Sequence, residues 1–202
     1  MKLFAFLGNI CAGKTTYAQY MADRTGGVVL SFAKPIKKIA KMLEMPDVRK
    51  SHQLIGNTFR DEVDPDIWAK KGIKDSWIFT QNNIPVFFDD LRFLNEARLI
   101  TQAGGMTIGI QSHTTNLYTR YRTRGRKGDN LTLEEFKTVI KTNPTERWAY
   151  EVLFAESGVD LLLRNSGNLK HNLETAYGKI IPYLHGHQRT QQSNQTNPII
   201  IP

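Results

Sequence analysis

The chain has 202 residues, 40% of them hydrophobic, and this size predicts a single domain with a complete core. The formal net charge is +8, which is high for an enzyme that acts only on small metabolites and favours a polyanionic partner such as nucleic acid. No apolar run approaches the ~20 residues needed to cross a membrane, and the single cysteine, Cys11, excludes an internal disulfide and suits a reducing cytoplasm.

The first part of the chain predicts strands and helices in alternation. The run "KLFAFL" predicts a buried strand, and a glycine-rich loop separates it from a helix over about Lys14 to Arg24 that Gly26 and Gly27 end. Val28 to Ala33 predict a second strand, and "PIKKIAKML" then predicts a helix with proline in its first turn. The polar stretch that follows is predicted to be mostly helical up to about Phe59.

The second part continues the alternation with a third strand over Ile84 to Asp90, apolar enough to be central in a sheet. Thr132 and Glu135 stand in capping-box positions, so a helix is predicted to begin there. The remaining predictions, in chain order, are the helix "FLNEARLITQAGG", the strand "MTIGIQ", the helix "TERWAYEVLFAES", the strand "VDLLLRN" and the helix "LKHNLETAYGKIIPYL". This order predicts an α/β layered fold with a mostly parallel central sheet over residues 1–184, and a disordered tail over 185–202.

A basic segment interrupts the pattern between residues 113 and 130, with five basic residues against one acidic residue. Arg120, Arg122, Arg124 and Arg126 recur at every second position, so an extended conformation would place all four on one side, interleaved with Tyr118 and Tyr121. Such an arm suits a phosphodiester chain with bases to stack on. The alternative is a lid whose arginines clamp ATP phosphates during transfer.

The loop after the first strand carries the clearest chemical signal. Its sequence, "GNICAGKTT", fits the phosphate-binding pattern G-x-x-x-x-G-K-[ST] and has the required setting, a strand before it and a helix after it. Glycines let the backbone curl so that successive N–H groups face an anion. We therefore predict a nucleotide phosphate site formed by Gly8, Asn9, Ile10, Cys11, Ala12, Gly13, Lys14, Thr15 and Thr16.

A magnesium carboxylate is expected at the end of a neighbouring strand, where "PVFFDDLR" supplies Asp89 and Asp90. Adjacent strand residues face opposite ways, so only one of the two can point at the metal. Asp90 is followed by Leu91 and not by the glutamate with which motor ATPases activate water, and no Asn-Lys-x-Asp run reads a guanine base. Phosphoryl transfer to a bound acceptor, the reaction of a kinase, is the reaction that remains.

Four further segments resemble the bacteriophage deoxynucleoside monophosphate kinase family, a branch of the P-loop nucleoside-phosphate kinases. In family order they are "SFAKPIK", "RDEVDPDIWAKK", "FFDDLRFLNEARLITQAGG" and "VDLLLRNSGNLKHNLETAY". With the glycine loop they cover most of residues 1–184, and the ordered set is far more specific than the loop alone. The resemblance implies a P-loop kinase fold and function in the cytoplasm of an infected bacterial host.

The resemblance also implies ligands. ATP and Mg²⁺ would bind at the glycine loop, with Thr15 and Asp90 at the metal and Lys14 and Arg92 at the transferring phosphate. The acceptor site would be built from Lys34, Lys37, Arg60, Asp64, Asp66, Trp68 and Arg92.

Two departures from the family bear on the acceptor. The region between the second and third strands is short, and the basic segment is longer and more basic than a simple lid requires. The phage kinases that phosphorylate 5-hydroxymethyl-deoxyuridine within DNA are similar in organisation, and this reading gives Arg120, Arg122 and Arg124 contacts with the DNA substrate. Asp89 would then take the proton of the acceptor hydroxyl.

Two alternatives stay open at this point. One is transfer to a free deoxynucleoside monophosphate, whose phosphate needs no base. The other is a non-catalytic DNA-binding protein that holds ATP as a structural ligand.

Overall fold

The computed structural model describes residues 2–126, 130–154 and 158–185. Within these ranges the chain forms a five-stranded, all-parallel sheet between two layers of helices, which confirms the predicted α/β class. The strands are β1 (Leu3–Leu7), β2 (Val28–Leu30), β3 (Val86–Leu91), β4 (Met106–Gln111) and β5 (Leu161–Arg164). The helices are α1 (Lys14–Thr25), α2 (Ala33–Met42), α3 (Arg49–Glu62), α4 (Ile67–Thr80), α5 (Leu94–Gln102), α6 (Thr114–Arg124), α7 (Leu133–Thr142), α8 (Pro144–Phe154) and α9 (Leu169–Leu184).

The strand order β2-β3-β1-β4-β5 places the first strand of the chain at the centre of the sheet. Every residue of β1 is buried because both of its faces are covered by helices, as in other parallel sheets. Phe4, Phe6 and Phe87 pack towards α1, α6, α7 and α9, whereas Ala5 and Phe88 pack towards α2, α3, α4 and α5. The two aromatic-rich cores fix the sheet between its layers.

The topology also locates a crevice. The chain leaves β1 towards β2 on one side, and it leaves β3 towards β4 on the other. Ligands of open parallel sheets bind at the carboxyl ends of two neighbouring strands whose connections diverge in this way. The crevice therefore lies between the loop after Leu7 and the acidic end of β3.

Two local predictions need correction, and one helix was not predicted. The second strand ends at Leu30 and not at Ala33, because the N–H groups of Phe32 and Ala33 bond to Asp90 and α2 starts there. Helix α4 was not predicted at all. The capping box of Thr132 and Glu135 is confirmed at the start of α7.

The second correction concerns the basic segment, which is not an extended arm. Residues 114–124 form α6, so arginines two positions apart point about 200° apart around the helix axis. Arg122 is exposed on a different side from Arg120 and Arg124, and Tyr118 and Tyr121 pack on Phe136. Tyr121 is 3% exposed and is not available to stack on a base.

Two further expectations concern the C-terminal tail and membrane-spanning segments. The predicted tail lies outside the described residues except for His185. No helix in the described ranges combines the length and the apolar character needed to span a membrane.

Candidate active site

The loop between β1 and α1 has a backbone that only glycine allows at two points. A Cβ on Gly8 would lie 2.9 Å from the Cβ of Ala12 and 3.0 Å from the carbonyl oxygen of Ile110. Gly13 has a φ of +102°, and a Cβ there would lie 2.8 Å from Nδ2 of Asn165. Cys11 also adopts a positive φ, 63°. Left-handed residues in such a turn direct consecutive N–H groups into one concavity, which is the geometry of an anion site.

Lys14 opens α1 and closes back on the loop. Its side chain is buried, and Nζ donates to the carbonyl oxygens of Gly8 at 2.5 Å and Asn9 at 3.1 Å. Burial, followed by the positive charge of Arg92, lowers the pKa of Lys14 to about 8. A bound phosphate would place a negative charge beside this ammonium group and would raise its pKa again.

The two aspartates at the end of β3 face different elements. Oδ2 of Asp89 accepts a hydrogen bond from Oγ1 of Thr15 at 2.7 Å. Asp90 instead accepts from Oγ of Ser31 at 2.6 Å and from the N–H groups of Phe32 and Ala33. Asp89, and not Asp90 as the sequence suggested, is thus the carboxylate beside the threonine of the loop.

Asp89 is half-buried and has a second carboxylate as its neighbour in the sequence. Burial, and then the charge of Asp90, raise the pKa of Asp89. A cation placed between Thr15 and Asp89 would reverse that shift.

Arg92 belongs to the segment between β3 and α5, and Arg60 contacts the same segment and the start of α5. Nη1 of Arg92 bonds to the carboxylate of Glu146 at 3.1 Å. Arg60 stacks on the ring of Phe93, 4.4 Å from its centroid, and pairs with Glu96 at 3.5 Å. Two arginines held at one wall make this side of the crevice suitable for a second anion.

Glu96 and Glu146 are buried carboxylates that the sequence analysis missed. Glu96 accepts from the N–H groups of Arg92 and Phe93 at the start of α5, and burial raises the pKa of Glu96 to about 7. The sequence offers a weak signal for Glu96, a glutamate three residues after Phe93 at a helix start. Glu146 gives none, since its partners are remote in the sequence.

Asp64 and Asp66 form the turn between α3 and α4. Asp64 accepts from the N–H of Asp66 and from Lys70, while Asp66 and the carbonyl of Pro65 accept from Asn95 in α5. These contacts hold the turn against the start of α5. The expectation that the two aspartates contact substrate stays a prediction.

Trp68 was expected in the acceptor site and instead belongs to the core. It is 4% exposed, its indole N–H donates to the carbonyl of Gly56 at 3.0 Å, and its ring packs on Phe59. The polar atom of Trp68 is therefore already paired inside the core, as is usual for a buried tryptophan.

The two lysines of α2 that were expected in the acceptor site lie at the protein surface. Lys34 and Lys37 are exposed, on a helix whose first N–H groups are held by Asp90 at the crevice. Lys38 and Lys41 continue the exposed basic side of the same helix.

Arg120 lies on the other side of the loop. Its guanidinium group donates to the carbonyl of Cys11 at 3.4 Å and to the carbonyl of Asn165 at 3.0 Å. The amide of Asn165 donates in turn to the carbonyl of Ala12 at 2.8 Å. Of the three predicted arginines, Arg120 therefore contacts the loop. Arg122 is exposed, and Arg124 lies over the ring of Tyr121.

Known proteins agree with this architecture. No protein-family model matches the sequence. Shikimate kinase from Acinetobacter baumannii in complex with shikimate is similar with a TM-score of 0.53 at 13% identity, over 91% of this chain and 94% of that one. TT1252 from Thermus thermophilus is similar with a TM-score of 0.59 at 17% identity, over 91% of this chain and 97% of that one. At these identities the likeness concerns the fold.

Fold and loop together define a phosphotransferase with a P-loop kinase architecture. A protein of Acanthamoeba polyphaga mimivirus, provisionally described as a deoxynucleotide monophosphate kinase, is 30% identical in an alignment 187 residues long. The alignment covers 69% of this chain and 94% of the relative. The chain belongs to the deoxynucleotide monophosphate kinase family.

Proposed function

We propose that this protein transfers the γ-phosphate of ATP to a free deoxynucleoside monophosphate and forms the diphosphate. The observation that carries the proposal is the juxtaposition of two anion sites across one crevice. The loop with Lys14 lies on one side, and Arg92 and Arg60 lie on the other. The description of the mimivirus relative supports the same acceptor.

The loop fits the phosphates of ATP because its concavity depends on Gly8 and Gly13, where any side chain would collide with the surrounding residues. Lys14 would release its two carbonyl partners and bind the outer phosphates. The first turn of α1, which includes Thr16, would direct the positive end of the helix dipole towards the phosphates. Arg120, which already contacts the back of the loop, would approach the nucleotide from the α6 side.

The residues beside the loop also suit Mg²⁺. Thr15 and Asp89 offer hard oxygen ligands within one hydrogen bond of each other. The described residues contain no cluster of three His, Cys, Asp or Glu side chains, and Mg²⁺ at phosphate sites needs only one or two protein ligands besides the phosphates. When bound, the ion would neutralise charge that develops on the phosphoryl oxygens. We assign Thr15 and Asp89 to this role.

The reaction needs little else from the protein. An acceptor phosphate oxygen forms a bond to the γ-phosphorus as the bond to the β-phosphate oxygen breaks, and no proton has to be removed. Arg92 and Arg60 would hold the acceptor phosphate, and Lys34 and Lys37 would increase the positive potential at its entrance. Catalysis then consists of positioning and charge neutralisation.

The test is incubation with γ-labelled ATP, Mg²⁺ and each of the four common deoxynucleoside monophosphates, followed by separation of the products. We expect labelled diphosphate from at least one of them. Lys14→Ala should lower the rate by at least about a hundredfold, whereas Lys179→Ala, on the exposed side of α9, should not change it. Absence of labelled diphosphate with every acceptor would contradict the proposal.

A second candidate is transfer to 5-hydroxymethyl-deoxyuridine in DNA. The net charge of +8 and the four exposed lysines of α2 favour it. The arginine–tyrosine segment that also pointed to DNA is a helix, however, with Tyr121 buried and Tyr118 half-buried. A hydroxyl acceptor needs a base, the role that the sequence analysis gives to Asp89 in this reaction. DNA that contains the modified base, with thymine DNA as control, belongs in the same assay, and label on the modified DNA alone would replace the first proposal.

A further inference from the structure

Glu146 joins three separate segments of the chain at the crevice. It lies in the first turn of α8 and is 1% exposed. Its Oε2 accepts from the N–H of Ile10 in the glycine loop at 2.7 Å. Its Oε1 pairs with Arg92 at 3.1 Å and with Arg49 of α3 at 3.6 Å. One buried carboxylate thus contacts the donor loop and two arginines of the opposite wall.

The carboxylate is held in place by its own helix. Ala149 and Leu153 bury one side of α8, at 2% and 4% exposure. The side-chain amide of Asn9 donates to the carbonyl oxygen of Glu146 at 2.9 Å, so the first turn of α8 is bound to the loop twice. Movement of Glu146 away from the loop would break both bonds, and the carboxylate is therefore a fixed part of the site.

Arg49 and Arg92 have partly exposed side chains, 50% and 36%, in contrast to the buried carboxylate between them. Arg49 also donates to Oγ1 of Thr145, the neighbour of Glu146. Two guanidinium groups around one carboxylate leave an excess positive charge. The planar fork of arginine can bind a carboxylate with one edge and a phosphate with another.

We propose that Glu146 is a positioning residue, which orients Arg92 and Arg49 to receive the acceptor phosphate and links them to the donor loop through Ile10. This inference rests on the proposed transfer to a nucleoside monophosphate, and it adds Arg49 to the acceptor site. Without the carboxylate, the two arginines repel each other and lose the contact that fixes their side chains.

The test compares Glu146→Gln with Glu151→Gln, an exposed position on the same helix whose partner is Arg147. Glutamine keeps an oxygen for the N–H of Ile10 and removes the charge. We expect Glu146→Gln to raise the KM for the acceptor about tenfold or more and to change the KM for ATP less than about threefold. Glu151→Gln should match the wild type. In an Arg92→Ala background, the further effect of Glu146→Gln should fall to about threefold or less, because the two residues act through one contact.

Thermal unfolding of each variant shows whether it folds. If Glu146→Gln does not fold, Glu146→Asp keeps the charge on a shorter side chain and should again raise only the acceptor KM. Equal increases in both KM values, tighter binding of either substrate, or a Glu146 variant that behaves like Glu151→Gln would overturn the inference. A wild-type protein that forms no diphosphate at all would instead overturn the proposed function.

Discussion

Oγ1 of Thr15 donates a 2.7 Å hydrogen bond to Asp89, and this bond joins the donor loop to the end of β3. Asp90, the next residue, bonds only to Ser31 and the start of α2 among the described hydrogen bonds. The carboxylates of Asp89 and Asp90 therefore have different partners, and mutations can separate their roles.

Asp89→Asn should lower phosphoryl transfer by about a hundredfold or more, because the amide is a poor magnesium ligand. The rate should also require more Mg²⁺ to saturate. Asp90→Asn should leave the magnesium dependence unchanged and lower the free energy of unfolding by about 1–3 kcal/mol, through loss of an acceptor for the N–H groups of α2. Magnesium titrations of the rate, together with denaturant unfolding, check both expectations; the reverse pattern would return the metal to Asp90.

The affinity for ATP should depend on pH through Lys14. In the free protein the pKa of Lys14 is lowered to about 8, and bound phosphate raises it, so nucleotide binding takes up a proton above that pH. We expect the affinity to fall as pH rises through about 8 and to be nearly independent of this group below about pH 7. Calorimetry in buffers of different ionisation enthalpy measures the uptake directly. Lys14→Arg should bind more weakly but without this pH dependence, since arginine stays charged.

Gly13→Ala should abolish nucleotide binding and destabilise the protein. Gly13 has a φ of +102°, which alanine rarely adopts, and the added Cβ would lie 2.8 Å from Nδ2 of Asn165. Backbone strain of this kind costs about 1–3 kcal/mol, and the collision adds to it. Gly167→Ala is the matched control, because it also has a positive φ but nothing lies within 4 Å of the added Cβ. Denaturant unfolding and ATP titration of the two variants separate strain from collision; equal losses would contradict the role given to the Asn165 contact.

Trp68→Phe should act on stability and not on the acceptor. The change leaves the carbonyl of Gly56 without its indole donor and opens space beside Phe59, at a cost of about 1–3 kcal/mol. The KM for the acceptor should remain within about twofold of the wild type. Trp77→Phe, at a position 58% exposed, should change neither quantity. A large rise in acceptor KM for Trp68→Phe alone would restore its predicted place in the substrate site.

The strands and the glycine loop could be predicted because their signals are local. Apolar runs such as Leu3–Leu7 have few alternatives to a buried strand, and the loop combines glycine positions with a strand and a helix on either side. The neighbouring carboxylates were found as a pair, but their roles depend on which one meets Thr15 after folding.

Helix α6 forms in place of an extended arm because the spacing of the apolar residues Leu117 and Tyr121 is helical, whereas the arginine alternation is a pattern of exposed charges. Both of these side chains are buried, and burial of a helix face outweighs a pattern of exposed charges. Glu146 could not have been predicted at all. Its contact with Ile10 spans 136 positions, and no short-range pattern encodes such a pair.

The central position of β1 has a consequence for synthesis. The strand leaves the ribosome before its two hydrogen-bonded neighbours, β3 and β4, which end at residues 91 and 111. Until those segments exist, the donor loop has neither the flanking strands nor the acidic residue that complete it, and the closure of such long chain segments is slow. Nascent chains that end before Gln111 would carry the whole phosphate-binding motif without the ability to bind a nucleotide.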